Sequence, residues 1–378
     1  MACYTRSTMM ETPTREQEKR PVLVYRDRIG VLSEIEFSRR QYLGFRTLRP
    51  VWIGRMLLPD AGAIGSSTVR IGGVRGLLFR YFGLAPDLDF SDYLPVVHAQ
   101  FARGGALALP LAKAMNARLV VTLHGGDVGK AKNWRKHTLL ARRWPEVIAR
   151  TYRFVCVSQV VAETAARRGV PERLLMVLPI GVEVPGSPPS PTRDGTLLFA
   201  GRFVEKKGIA VLADAMRRLR SNGDRIRLIC AGDGPLRPVL QALARDIPGV
   251  ELVGWLSPSA LEKQMGSALA LVVPSVVAAN GDAEGLPSVV PEAMARGCTV
   301  IGSAQGGIAE AVTDGATGLL VPPGDAVALA AAMHRLGSEP GLSIALAAAA
   351  FVDVGRRLNA IHQSRALETI LLEAAGGG

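Results

Sequence analysis

The segment Leu269-Ala-Leu-Val-Val-Pro274, Asn280-Gly-Asp-Ala-Glu284-Gly-Leu-Pro-Ser-Val-Val-Pro-Glu292-Ala-Met-Ala-Arg-Gly297 and Thr299-Val-Ile-Gly-Ser303 decides the fold. Two short apolar runs enclose a loop and a short helical stretch. Runs of this length that end at Gly, Ser, His or Pro read as parallel strands covered on both faces. The same alternation continues in both directions. Val22 to Tyr25, Tyr93 to His98, Leu119 to His124 and Phe154 to Val157 form one set of strand candidates. Leu197 to Ala200, Ile226 to Ala231 and Val250 to Val253 join the first two runs in a second set, with helical patterns over Gly208 to Arg220, Leu236 to Arg245 and Ala326 to Leu336. Two sets of βα units predict two doubly wound α/β domains. Gly186-Ser-Pro-Pro-Ser-Pro-Thr192 separates them, since such a segment fits no strand or helix interior. The expected layout is a flexible tail over 1–20, an N-terminal domain over 21–185, a C-terminal domain over 186–342, and a helical segment over 343–378 that crosses back to the first domain. Ligands of such sheets bind beyond the carboxyl ends of the strands, so facing domains place the chemistry in a cleft.

Within 280–297, Pro291 suits a first helical turn, Ser288 suits the N-cap, and Gly297 suits the stop. The loop then feeds backbone N–H groups and a positive dipole end toward phosphate or sugar oxygens. Glu284 and Glu292 can accept hydrogen bonds from hydroxyl pairs on a sugar and a ribose. The competing reading makes Glu292 a partner of the helix dipole and leaves Glu284 solvated. Leu198-Phe-Ala-Gly-Arg202-Phe-Val-Glu-Lys-Lys207-Gly208 places two cations where a helix opens. Arg202 and Lys207 suit a departing diphosphate, on which charge develops as its bond breaks, or are ordinary surface charges. His124 ends a buried strand before Gly-Gly and either points into the cleft or bonds a carbonyl in the core. Asp127 reads as a site residue or an N-cap, and His98 as structural.

Composition bounds the partners. The chain has 378 residues, 48% hydrophobic and 21% charged, which excludes a disordered or collagen-like polymer. No apolar run is long enough to span a bilayer and no hydrophobic leader opens the chain, so the expected location is the cytoplasm. The net charge of +12 arises entirely in the first half: residues 1–185 hold 28 Lys/Arg and 15 Asp/Glu, against 17 and 18 afterwards. Low aromatic content without RNA-binding or zinc-finger signatures argues against nucleic acid and favours an anionic membrane surface or acceptor. Two basic stretches are candidates for that surface, or are solvated faces: Lys132-Asn-Trp134-Arg-Lys136 through Arg142-Arg143-Trp144 to Arg150 and Arg153, and Arg70 to Arg80 around Leu77, Leu78 and Phe79. Cys3, Cys156, Cys230 and Cys298 lack metal or redox spacing and read as packing thiols. Asp87-Leu-Asp89 imitates a metal-binding Asp-x-Asp without a preceding strand. Gly232-Asp-Gly234 begins a dinucleotide fingerprint, but Arg237 holds its third glycine position.

Gly201-Arg202…Lys207-Gly208, Ala231-Gly-Asp-Gly-Pro235, Glu284-x7-Glu292 with Gly-Leu-Pro, and Gly315-Ala-Thr-Gly-Leu-Leu-Val-Pro-Pro323 resemble the retaining nucleotide-sugar glycosyltransferases of family 4. Val96-Val-His98-Ala-Gln-Phe101, Val121-Thr-Leu-His124-Gly-Gly-Asp127 and Val157-Ser158 extend the resemblance into the first half. Leu32-Ser-Glu34-Ile-Glu-Phe37 is similar to the acceptor-side loop of exopolysaccharide-building members, with Ile35 where the family usually has Thr and Gln100 where it usually has His. The resemblance implies the GT-B fold and a sugar transferred from a nucleotide diphosphate to a glycan, lipid-linked in the preferred reading, with retained configuration. A GT-B isomerase or phosphorylase and a non-catalytic binding module are the alternatives. It further implies that Arg202 and Lys207 bind the diphosphate and Glu292 the ribose. Glu284, with Gly285, Leu286 and Pro287, would hold the sugar, which His124 meets from the other domain. Gly201, Gly232 and Gly234 would lie at the nucleotide, while Ser33, Glu34 and Asp127 would serve the acceptor. No metal or other cofactor is expected, and the enzyme would work at the inner face of the plasma membrane.

Overall fold

A computed structural model describes residues 19–129, 138–187 and 194–376. Two parallel sheets form its frame. Across the first, the strands run Ser67–Arg70, Leu48–Gly54, Arg20–Tyr25, Val96–Gln100, Arg118–Leu123, Thr151–Cys156 and Leu175–Val177. Across the second they run Val250–Gly254, Arg227–Ala231, Thr196–Ala200, Ala270–Val273, Thr299–Ser303 and Leu319–Val321. Alternate residues of one strand enter different cores. Leu23 and Tyr25 pack on one face of the first sheet, and Val22 and Val24 on the other. Leu197 and Phe199 are divided from Leu198 and Ala200 in the same way. Covered faces on both sides explain the near-continuous apolar runs.

The strand Leu48–Gly54 escaped the sequence reading because Pro50 interrupts it. Pro50 pairs with Val22 on one side, while pairing on the other side begins only at Val51 with Ser67. Its missing N–H therefore costs no ladder bond there. Short strands at Ser67–Arg70, Leu175–Val177 and Leu319–Val321 were likewise absent from the sequence pattern.

The return to the first domain comes later than residue 343. Leu346, Ala350 and Val354 of the helix Pro340–Arg357 pack into the second domain's cores. Within this C-terminal segment it is the last helix, Ala360–Gly376, that packs on the first sheet, through Leu367, Ile370, Leu371 and Ala374. Glu368 on that helix accepts the backbone N–H groups of Arg46, Thr47 and Leu48 at 2.8–3.0 Å. Burial alone would raise its pKa, but these bonds outweigh it and hold the carboxyl below its ordinary value. Cys156, Cys230 and Cys298 are buried, and burial pushes the Cys230 thiol up to about 12.

Candidate active site

Both halves of the site stand at the carboxyl ends of their sheets. In the second domain the turn after Thr196–Ala200 carries Gly201 and Arg202, then a short helical turn Glu205–Lys207 and Gly208. Gly208 has φ +68, and a Cβ there would fall on the Pro274 carbonyl, so only glycine admits the following helix this close to the neighbouring strand. The Gly232–Gly234 turn packs on the same corner: Phe203 donates its N–H to the Asp233 carbonyl at 2.9 Å. Lys207 Nζ lies 3.2 Å from Glu284 Oε1, and Lys206 Nζ lies 3.4 Å from the same oxygen and from Asp282 Oδ1. Arg202 is exposed at this strand end, and its side chain makes no ion pair among the described residues. Two neighbouring lysines at one carboxylate, with Arg202 at the same strand end, form an arrangement whose internal pairs a diphosphate can replace.

The loop after Glu284 meets the first domain directly. A Cβ on Gly125 would lie 2.9 Å from Gly285 Cα, and one on Gly285 would lie 2.7 Å from the His124 carbonyl oxygen. Gly307 donates its N–H to the Gly285 carbonyl at 2.6 Å from the other side. Leu286 and Pro287 lead on into the helix Val289–Ala295. Ser288 occupies the N-cap position but has helical backbone angles and makes no side-chain capping bond, contrary to the capping role read from the sequence. With φ −57 and ψ −30 it already belongs to the turn begun by Pro287, whose carbonyl accepts the Val290 N–H.

His124 sits at the end of a buried polar chain. The Gln100 amide donates to Gln41 Oε1 at 2.7 Å and to the Tyr42 hydroxyl at 2.8 Å, so Gln100 Oε1 accepts His124 Nε2–H at 2.8 Å. Tyr42 then donates to His98 Nδ1, and His98 Nε2–H donates to Thr122 Oγ1, each at 2.7 Å. Burial holds both imidazoles neutral, with pKa values pushed down to about 3; for His124 the nearby Arg26 adds to the effect. Phe101, the residue after Gln100, holds φ +68, and its ring centroid is 4.2 Å from that of His124. Such a backbone angle in an aromatic residue stores strain, which its N–H bond to the Thr122 carbonyl at 2.8 Å helps to hold.

Glu34 reaches the same corner. Arg26 donates to its carboxylate at 2.6 and 2.9 Å and stacks 4.1 Å from the Phe101 ring centre. Ser33 lies beside it in the helix Leu32–Arg40, and Asp127 lies inside the short helix Gly126–Gly129 and so cannot be its N-cap. Arg40 ends the first of these helices and crosses the cleft, its Nη1 2.5 Å from Glu292 Oε1. Sequence reasoning missed Arg40, Arg26, Lys206, Asp282, Gln41 and Tyr42, and marked Gln100 only as a departure from the family pattern. Only Lys206, adjacent to Lys207, carried a local signal.

The decoys resolve differently. Asp89 is exposed and accepts the Ser91 N–H at 2.9 Å in a local turn, with no strand before it. Lys132 to Lys136 lie outside the described residues. Trp144 faces inward, its ring 5.6 Å from that of Phe154, so it does not join a basic outer face. Phe79 is likewise fully buried.

Two doubly wound sheets whose strand ends face one another, with Lys206 and Lys207 on one side and His124 on the other, define a protein of the GT-B fold. Residues 194–339 match the model of glycosyl transferases group 1, and residues 75–184 match that of glycosyltransferase family 4. The chain is 33% identical over 304 residues to a D-inositol 3-phosphate glycosyltransferase of Frankia alni, covering 70% of each. It belongs to the family-4 glycosyltransferases. It is also 31% identical to the amylovoran biosynthesis glycosyltransferase AmsK of Erwinia amylovora over 70% of this chain. A putative colanic acid biosynthesis glycosyltransferase of Escherichia coli is 28% identical over 64% of it. The matched parts span 66% and 62% of those two relatives, just under two thirds of their lengths. Anabaena HepE, solved with UDP-glucose, superposes with a TM-score of 0.74 at 15% identity over 93% of this chain and 99% of its own, which shows the shared fold.

Proposed function

We propose that the protein transfers a sugar, with retention at its anomeric carbon, from a nucleoside-diphosphate donor to a lipid-linked glycan in exopolysaccharide assembly. The observation that carries this reading is Glu284, held between Lys206 and Lys207, on a loop whose Gly285 touches the His124 carbonyl. A sugar on Glu284 would therefore lie between the diphosphate site and the acceptor domain. Arg202 and Lys207 take the diphosphate, Glu292 the ribose, and Glu284 with Gly285, Leu286 and Pro287 the sugar. The bond from the anomeric carbon to the diphosphate oxygen breaks as the acceptor oxygen bonds to the same face. The acceptor's proton passes to the departing phosphate oxygen. Cations and loop amides stabilise the charge that develops, and alignment supplies much of the rest.

Neutral His124 stands as an Nε2–H donor to Gln100, which suits a contact group for sugar rather than a proton carrier at neutral pH. Glu34 and Ser33 are assigned to the acceptor, and the excess positive charge of the first half supports an anionic acceptor at the cytoplasmic membrane face. The relatives named for amylovoran and colanic acid synthesis support the exopolysaccharide assignment, and the UDP-glucose bound to HepE makes UDP-sugars the first donors to try. A thermal-shift screen of nucleoside diphosphates and their sugars, followed by NMR of the product anomer, tests the proposal. Selective stabilisation and a product with the donor's configuration are expected. Release of free phosphate-activated sugar, epimerised donor, or no turnover with any acceptor would overturn it.

A further inference from the structure

The helical run Gly73–Leu77, continued by Leu78–Phe82, buries only one side. Phe79 packs on Tyr25 with ring centroids 5.9 Å apart. Val74, Leu77 and Tyr81 follow one another at i, i+3 and i+7 on the outer side, and Phe82 and Leu84 extend them. Val74 is 71%, Leu77 52%, Phe82 75% and Leu84 56% exposed. Large apolar side chains exposed singly are ordinary, but five within eleven residues form a patch.

Guanidinium groups surround this patch. Arg70 and Arg75 are exposed, and Arg80 lies 5.2 Å from the Tyr81 ring centre. Arg143 Nη2 comes within 3.1 Å of where a Gly83 Cβ would stand, which brings the helix Thr138–Arg150 and its exposed Arg142 alongside. Arg142 and Arg143 of one basic stretch noted in the sequence thus lie beside Arg70 to Arg80 of the other, and the exposed Asp87, Asp89 and Asp92 follow on the next loop. We propose that this stripe docks the protein on an anionic bilayer, with the apolar side chains entering the headgroup boundary and the arginines pairing with lipid phosphates.

The position fits the task. The strand Ser67–Arg70 delivers the stripe to the same carboxyl-terminal sheet edge from which His124 emerges, since all these strands are parallel. A short series of contacts joins them: Phe79 on Tyr25, then Arg26 over Phe101, and Phe101 on His124. A membrane-held acceptor would so be presented to the cleft, and in purpose, though not in its physics, this inference rests on the lipid-linked acceptor proposed above.

The test uses the full chain and vesicles of phosphatidylcholine with or without phosphatidylglycerol. Mixed vesicles should bind the protein at least about tenfold more tightly than neutral ones, each cation near the surface contributing about fivefold. Leu77→Ser with Phe82→Ser, and separately Arg70→Gln with Arg75→Gln, should each lower that binding at least about tenfold. Unfolding temperature and the nucleoside-diphosphate response should remain those of the wild type, because neither pair touches the cleft. Wild-type binding by both variants, or equal binding to neutral vesicles, would overturn the proposal. A dimer in size-exclusion that the Leu77/Phe82 variant abolishes would assign the stripe to a second copy instead. Loss of the donor reading through an absent nucleotide response would leave the vesicle comparison unaffected, so the two failures are separable.

Discussion

Replacing Arg40 by Met should loosen the two domains and blunt nucleotide binding together. Arg40 Nη1 lies 2.5 Å from Glu292 Oε1, with the side chains only 8% and 15% exposed, and Arg40 Nε also lies 3.7 Å from Glu36 Oε2. Two unit charges about 4 Å apart attract by about 4 kcal/mol at an effective dielectric constant near 20. Removing one member of a fully buried pair costs about 3–5 kcal/mol, because the other charge stays behind without a partner. Residual exposure of both groups lowers this to an expected loss of about 2–4 kcal/mol. Urea unfolding of the wild type, Arg40→Met, Glu292→Gln and the double variant gives the coupling, expected at about 1 kcal/mol or more. Since the pair bridges domains, Arg40→Met should also split or broaden the unfolding transition. In the proposed site the freed Glu292 carboxylate is no longer oriented toward a ribose, so nucleoside-diphosphate affinity by calorimetry should fall about tenfold, equivalent to about 1.4 kcal/mol. Strictly additive single costs with unchanged affinity would refute both the bridge and the assignment of Glu292.

Arg202→Ala and Lys207→Ala should each reduce turnover by about tenfold to a thousandfold while circular dichroism stays native, and wild-type rates in either variant would count against the diphosphate site. Turnover should survive EDTA, because Arg and Lys supply the charge there, and loss with rescue by Mn²⁺ would reopen the role of Asp87 and Asp89. Gly285→Ala should lower turnover about a hundredfold yet keep nucleotide binding, since its Cβ, 2.7 Å from the His124 carbonyl, forces the domains apart. Stability should fall as pH drops below about 6.5, because unfolded histidine takes up a proton there while His98 and His124, with native values of about 3, do not. Each should cost about 2 kcal/mol at pH 5 relative to neutral pH, measurable by denaturant titration, and a pH dependence about half as steep in His98→Asn would confirm its share.

Much of the frame was legible because its causes are local. Val22 to Tyr25 and Leu197 to Ala200 alternate between two covered faces, so both must be apolar at every position, and that pattern is written along the chain. Glycine at 208 and 297 likewise answers to backbone angles, φ +68 and +63, set within a few residues. The strand Leu48–Gly54 was hidden because the tolerance of Pro50 depends on which neighbour lies on each side, a matter of sheet order rather than of local pattern.

The sequence by itself determined two doubly wound sheets, the strand ends that carry Arg202, Lys207, Glu284 and His124, and the uneven charge of the halves. Tertiary structure alone decided how these groups are held. Gln100, Gln41, Tyr42, His98 and Thr122 become one chain behind His124 only where two strands and a helix end converge, and no spacing along the sequence links one to the next. Arg40 finds Glu292 across 252 positions of sequence, through the closing of one domain on the other. Phe79 turns inward while Phe82 turns out, although the two lie three residues apart in one helical segment. Periodicity and turn chemistry act between neighbours in sequence and leave a local trace, whereas hydrogen-bond partners and exposed faces depend on packing between distant segments, which no local pattern encodes.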